Sequence, residues 1–387
     1  MTVIWKPALD DAATRWQTLA ERLGRERFGP LAPELDRDQR YPWETIEALV
    51  EHKFAGLFLP TQWGGQGANL TTTVAAVEAL GTHCASTSAI MCAYQLGAFP
   101  ILLAGTDAQK DFYLREMTLG RATSFALSER IAGSDAAAIE ATATREGDGW
   151  RLRGEKYWIG NGGASRYYVV FAKTDPAAGG RGVSAFMVDK EQPGAVIDEL
   201  SDKMGIRGTQ TSNLKLDLVV PDSARVGELN RALRLALQTL NVGRIMVAAQ
   251  SLGLALGAYR QAADRAVARQ AFGQPIGENQ AIGFRLADMA TEISAARMML
   301  YEAARAYDAG QDVSNLGAMA KLFSSEVSHR VVDNTVQIWG GLGYCKPTVA
   351  ERLYRDQRIL EIYEGSSEIQ RLVLSRAVRK EAEESAN

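Results

Sequence analysis

The spacing of apolar residues changes period twice along this chain, and that alternation is what most limits the folds open to it. Up to about residue 119, apolar residues recur at every third or fourth position, as in "ATRWQTLAERLGRERFGPLA", "PWETIEALVEHKFAGL" and "TTTVAAVEALGTHCASTSAIMCAYQLGAF". That is the period of helices with one buried face. From about 120 to 228 the period falls toward two. There "ATATREGDGWRLRGEKYWI" predicts a hairpin about Gly147-Asp148-Gly149, and "RYYVVFAKTD", "GVSAFMVDK" and "SNLKLDLVV" read as strands separated by turn residues. Short, evenly spaced strands without intervening helices predict a small sandwich or barrel rather than a parallel sheet. From 229 the helical period returns over about 229–271, 279–309, 313–338 and 366–380, which predicts an antiparallel four-helix bundle. The expectation is an α+β multidomain chain with helical, β and helical domains over 1–119, 120–228 and 229–387. The charged tail "RKEAEESAN" is expected to fray.

Composition excludes several function classes. With 43 basic and 46 acidic residues the net charge is -3, and no basic run or basic-aromatic stripe offers a surface for nucleic acid. Asp10 and Asp11 fall where a signal peptide would need its apolar stretch. Gly97 and Pro100 interrupt the most apolar window, so no membrane span and a cytoplasmic location are expected. Cys84, Cys92 and Cys345 form no CxxC pair and read as buried thiols in a reducing compartment. His52, His83 and His329 stand too far apart in sequence for a zinc motif, so no metal is expected. There is no GxSxG elbow and no GxxxxGK loop, and the glycine clusters fail GxGxxG at the last glycine.

Four segments remain. "FALSERIAGSD" sets Ser128, Glu129, Ser134 and Asp135 among small residues where the helical period gives way to strands. Taken alone, it is a polar turn. "GEKYWIGNGG" places two aromatic residues before three glycines, which would let backbone approach something flat or bulky. Taken alone, it is a strand running into a loop. "RQAFGQPIGENQAIGFRLADM" and "VQIWGGLGY" break helical stretches with glycines that a compact bundle does not need. "IYEGSSEIQRLVLSR" sets Glu364 between Tyr363 and Gly365, just before a helix whose dipole would favour an acid there.

Together, "ALSERIAGSDAAA", "QIWGGLGY" followed by "ERLYRD", and "IYEGSSEIQRLVLSRAV" resemble the acyl-CoA dehydrogenase family, over about residue 45 to the end. The resemblance implies a helical N-terminal domain, a middle β-barrel and a C-terminal four-helix bundle, with FAD between barrel and bundle, in a homotetramer. It implies α,β-dehydrogenation of an acyl-CoA or acyl-carrier-protein thioester, with electrons passing to an electron-transfer flavoprotein. Glu364 matches the base that removes the α-proton. Its backbone N–H would help to hold the thioester oxygen, and Gly365 would let backbone crowd the thioester. Burial beside Ile362 and Tyr363 would raise its basicity. Arg244 matches an arginine near the base, Asn241 a CoA-contacting position and Ser134 a substrate-contacting serine; Tyr363 joins them in the substrate set.

For FAD, the resemblance implies Phe125, Leu127, Ser128, Gly133 and Ser134 along the flavin, with Trp158, Ile159 and Gly160 beside it. It places Arg269, Phe272 and Gln280 on the diphosphate side across a subunit interface, Gln337, Gly340 and Gly341 toward the adenine half, and Ser366 and Glu368 next to the base. Relatives that move the base use the position of Gly243, where no side chain can act here. Three residues depart from the pattern: Gly160 stands where a hydroxyl faces flavin N5, Arg130-Ile131 replaces Pro-Gly, and Pro347 replaces an acid or amide. These departures leave a flavin oxidase or a redox-neutral lyase on the same scaffold as the rival, with a non-catalytic interaction protein third.

Overall fold

The computed structural model describes residues 3–385. The first helical region comprises α1 (Asp11–Leu23), α2 (Gly29–Asp38), α3 (Trp43–Glu51), α4 (Leu70–Gly81), α5 (Ala85–Ala104), α6 (Asp107–Gln109) and α7 (Arg115–Thr118). Local chemistry starts these helices: Asp10 accepts from Ala13 N at 2.7 Å, and Asn69 accepts from Thr72 N at 2.8 Å. Each answers one of the amide groups left over at a helix start.

Strands β1 (Thr123–Ala126), β2 (Thr142–Glu146), β3 (Gly149–Ile159), β4 (Tyr167–Lys173), β5 (Val183–Asp189), β6 (Ala195–Leu200), β7 (Ser212–Pro221) and β8 (Arg225–Val226) follow. They form one sheet in the order β6-β7-β3-β2-β4-β5-β8, with β1 added beside β4. The expected hairpin is present, Glu146 pairing with Gly149 across Gly147 and Asp148. The pairing is antiparallel except where β4 meets β1 and, at one residue pair, β2. β1, β6 and β8 were not legible, because each is too short or too polar to show a period of two.

The last region holds α8 (Ala232–Ala268), a two-stranded hairpin of β9 (Gln270–Ala271) and β10 (Gln274–Pro275), α9 (Gln280–Asp308), α10 (Ser314–Trp339), α11 (Gly341–Tyr344), α12 (Val349–Gln357) and α13 (Ser367–Ser385). The four expected long helices are there. α11 is too short and glycine-rich to show a period, α12 spans only nine residues, and the charged tail continues α13 to Ser385 rather than fraying; Ala386 and Asn387 fall outside the described residues.

Two cores organise the chain. A large one unites the first and last helical regions, from Leu49 and Ile90 to Leu252 and Leu353. A smaller one fills the sheet with Trp150, Leu152, Phe186, Leu214 and Val220. β4 serves both: Tyr168 and Val170 point into the small core, Val169 and Phe171 into the large one. Gly97 and Pro100 do not break α5, which runs 20 residues. α5 and α8 are long and apolar enough by composition to cross a membrane, yet 67% and 94% of their apolar windows are buried inside the protein.

Candidate active site

Glu364 sits in the turn before α13 with left-handed backbone (φ 54°), followed by Gly365 at φ 88°. A β-carbon on Gly365 would also stand 2.7 Å from Gln370 Nε2, so the second position of this turn demands glycine. Two buried side chains hold the turn. Gln370 Nε2 donates to the carbonyls of Glu364 (3.1 Å) and Gly365 (2.8 Å), and Lys321 Nζ donates to Gly365 O at 2.8 Å. Neither holder was foreseen. Lys321 leaves a trace in the sequence as a polar residue on the small-residue face of α10; Gln370, on the polar α13, leaves none.

The Glu364 carboxylate faces α8. A β-carbon on Gly243 would stand 2.9 Å from Glu364 Oε2 and 3.3 Å from Leu96 Cδ1, so the glycine at this position makes room for the carboxylate. Oε2 is buried and has no hydrogen-bond partner among the described residues. Burial pushes the Glu364 carboxyl up to about 7, against the attraction of Lys321 and Arg244, which pulls it down. Burial likewise pulls Lys321 down to about 8, opposed chiefly by Glu364. Arg244 is buried, donates through Nη1 to Asn241 Oδ1 at 2.9 Å, and leaves its Nε unpartnered. Asn241, expected at CoA, is half-buried and bridges Arg244 to Ser314 Oγ at 3.0 Å. Tyr363 donates its hydroxyl to Gln250 Oε1 on α8. Ser366 immediately precedes α13, accepting from Ile369 N at 3.4 Å, and its hydrogen bond lowers the Glu368 carboxyl.

The expected flavin residues fall into two groups. In the first, Phe125 to Ser128 run beside the end of β3: Tyr157 N donates to Ser128 O at 2.9 Å, and Ser124 Oγ to Gly160 O at 2.8 Å. A buried ion pair locks this arrangement. Lys156 Nζ reaches Glu129 Oε1 at 2.6 Å and Leu127 O at 3.1 Å, while Glu129 also accepts from Glu140 N and Ala141 N at 2.5 and 3.0 Å. Ile159 is buried, whereas Gly133, Ser134, Trp158 and Gly160 are exposed. A β-carbon on Gly160 would meet nothing nearer than Ala93 Cβ at 3.9 Å. Ala93 lies one turn before Leu96 on α5, so the open edge at Gly160 and the carboxylate at Gly243 are neighbours across that helix.

Arg269, Phe272, Gln280, Gln337, Gly340 and Gly341 make the second group, all of them exposed, at the far end of the bundle. Arg269 is 26 residues beyond Gly243, roughly 39 Å along α8 and the chain that leaves it. Within one chain these residues do not join Glu364. Phe272, 99% exposed on the β9–β10 hairpin, has no packing of its own. Of the three cysteines, Cys84 and Cys92 are buried, but Cys345, in the glycine-rich turn after α11, is exposed, contrary to expectation.

Comparison with known proteins decides the family. Models of the acyl-CoA dehydrogenase N-terminal, middle and C-terminal domains match residues 10–121, 124–219 and 230–379. The chain belongs to the acyl-CoA dehydrogenase family. It is 39% identical over 366 residues to the 3-(aryl)acrylate reductase of Clostridium sporogenes, covering 92% of this chain and 96% of that one. It is 40% identical over 362 residues to the human mitochondrial short-chain specific acyl-CoA dehydrogenase, covering 93% and 88%. The solved butyryl-CoA dehydrogenase of Megasphaera elsdenii superposes with a TM-score of 0.94 at 36% identity, covering 97% of this chain and 100% of that one. Acyl-CoA dehydrogenases are FAD-dependent oxidoreductases, and the exposed glycine edge beside Trp158 and the locked Phe125–Ser128 segment fit a flat, backbone-bound ring system.

Proposed function

We propose that this acyl-CoA dehydrogenase desaturates short acyl thioesters, with Glu364 as the base that removes the α-proton. One observation carries the reading: a carboxylate held by backbone geometry, with Oε2 unpartnered and an acidity near neutral, facing the space that Gly243 leaves open. A general base works best when its acidity lies near the working pH. Among the described residues nothing accepts from the Glu364 backbone N–H, which leaves it available to a thioester oxygen as negative charge builds there. Arg244 and Lys321 offset the charge of the carboxylate before the proton moves. Phe125, Leu127, Ser128, Trp158 and Gly160 would hold the ring end of FAD, which when bound supplies the two-electron acceptor for the β-hydride. The electron-transfer flavoprotein is the proposed onward acceptor.

The Tyr363–Gln250 hydrogen bond supports a short chain. Gln250 lies two helical turns beyond Gly243 on the same face of α8, roughly 10 Å away, and is fully buried with its Nε2 unpartnered. An extended aliphatic tail meeting that amide would leave it without a hydrogen bond. The short-chain and butyryl relatives point the same way. We also propose a homotetramer, or at least a dimer, in which the Arg269–Phe272 hairpin of one chain completes the FAD site of another, because these exposed residues lie too far from Glu364 on their own chain.

A second reading rests on Gly160, whose open edge leaves room for oxygen or a polar β-substituent and so favours an oxidase or a specialised substrate. Anaerobic titration of the FAD-loaded protein with butyryl-, octanoyl- and 3-phenylpropanoyl-type thioesters, on CoA and on carrier protein, tests both. Bleaching by butyryl-CoA with slow reoxidation in air is the expected result. Fast reoxidation in air moves the assignment to an oxidase, and absence of bleaching by every saturated thioester defeats the dehydrogenase reading.

A further inference from the structure

A second cavity lies away from the base, where α1, α4 and α8 meet the segment Ile4–Leu9. Its volume is about 780 Å³, within the range of roughly 300–1,000 Å³ common for small-molecule sites. Leu256 and Arg260, which line it from α8, are 13 and 17 residues beyond Gly243, so roughly 20–25 Å separates it from the Glu364 carboxylate. The N-terminal segment is fastened at its rim: Arg297 Nη1 donates to Trp5 O at 2.7 Å, and Trp5 N donates to Ser294 Oγ at 3.0 Å.

The lining carries five cations (Lys6, Arg22, Arg25, Arg260 and Arg297) against two carboxylates, Glu21 and Glu78. Both carboxylates are already answered within the protein. Glu78 pairs with Arg297 at 2.7 Å and accepts from the Tyr301 hydroxyl at 2.8 Å. Glu21 pairs with Arg260 at 2.8 Å and lies 3.2 Å from His83. Arg25 turns to the exposed Glu26 at 2.9 Å. Lys6 and Arg22, both solvent-exposed, line the cavity with no carboxylate within ion-pair distance among the described residues. Unanswered charge in a concave site concentrates anions. The same lining includes an apolar wall of Ile4, Pro7, Leu9, Leu256 and Tyr259.

We propose that this cavity binds a nucleoside mono- or diphosphate, with the phosphates toward Lys6 and Arg22 and the base against the apolar wall. A lone phosphate would use the cations but not the volume, and an uncharged nucleoside would use the wall but not the cations. Neither Lys6 nor Arg22 takes part in the proposed chemistry.

The test is calorimetric titration of the FAD-loaded protein with ADP, adenosine and inorganic pyrophosphate. Because CoA itself carries an adenosine diphosphate, it is repeated on Glu364→Gln enzyme saturated with butyryl-CoA. The expected result is one ADP per chain in both preparations, at least tenfold weaker binding of adenosine and of pyrophosphate, and at least tenfold weaker ADP binding in the Lys6→Ala, Arg22→Ala double variant. Flavin content and the butyryl-CoA KM should not change in that variant. Absence of ADP binding, its loss when butyryl-CoA is present, or ADP affinity unchanged in the double variant would each overturn the proposal. Pyrophosphate matching ADP would reduce the site to a simple anion site and overturn the nucleoside assignment.

Discussion

Two carboxylate-lysine neighbourhoods, one in the sheet and one in the bundle, are built to opposite ends. At the sheet, Glu129 meets Lys156 at 2.6 Å and accepts two backbone N–H groups besides, so its charge is fully answered. In the bundle, Lys321 is as deeply buried as Lys156, and burial pulls both lysines down to about 8. Yet the Lys321 ammonium is spent on the Gly365 carbonyl, and Glu364 keeps an oxygen with no partner. The first arrangement holds two segments in place. The second keeps a carboxylate in position without satisfying it, which is the condition for moving a proton.

The largest effect expected from breaking this contrast comes at the unsatisfied member. Glu364→Gln preserves shape but cannot accept a proton, so kcat with butyryl-CoA should fall by about 10²–10⁴-fold or more. The flavin absorbance of the purified protein should stay normal. Turnover within a few-fold of the parent would place the base elsewhere.

At the satisfied member the expected effect is on stability rather than rate constants. Lys156→Met strands Glu129 without its cation in the sheet, a change that typically costs about 3–5 kcal/mol, with the two backbone donors holding it to the lower end. Urea unfolding followed by tryptophan fluorescence should show the loss, and Glu129→Gln in the same chain should recover part of it. Unchanged unfolding of Lys156→Met would mean that the pair holds nothing.

The smallest effect is a pH-dependent gain. Because the folded Glu364 carboxyl titrates at about 7 rather than 4.5, the folded protein keeps a proton that the unfolded chain loses between those values. Stability therefore declines from this group as pH rises from about 4.5 to 7, and the deficit is constant above. Glu364→Gln removes that deficit. Its stability should equal the parent's near pH 4.5 and exceed it by about 1–3 kcal/mol at pH 8. A gain independent of pH would show that the carboxyl is not raised by its surroundings.

Much of this was legible before any coordinates. The helix-sheet-helix order follows from apolar period alone, whereas the Glu364 turn, the "FALSERIAGSD" loop and the "GEKYWIGNGG" edge gained their roles only from the family resemblance that the motifs carry together. What escaped reading was short or non-local. β1, β6 and β8 have no period of their own, and the helical regions flanking the sheet share one core although more than 100 residues separate them. Lys321 and Gln250 look like stray polar residues among apolar neighbours, and Gln370 like one more polar residue on a polar helix, until packing sets them against the turn that carries the base.

The sequence by itself determined which segments become helix or strand and which residue types are available for chemistry, because period and turn composition act over a few neighbours at a time. Only the tertiary structure decided which of two glutamates near a buried lysine is satisfied and which is poised. That depends on whether the ammonium reaches a carboxylate or a carbonyl, a difference of a few ångströms set in the sheet by how β3 meets the loop after β1, and in the bundle by how α10 packs against the turn before α13.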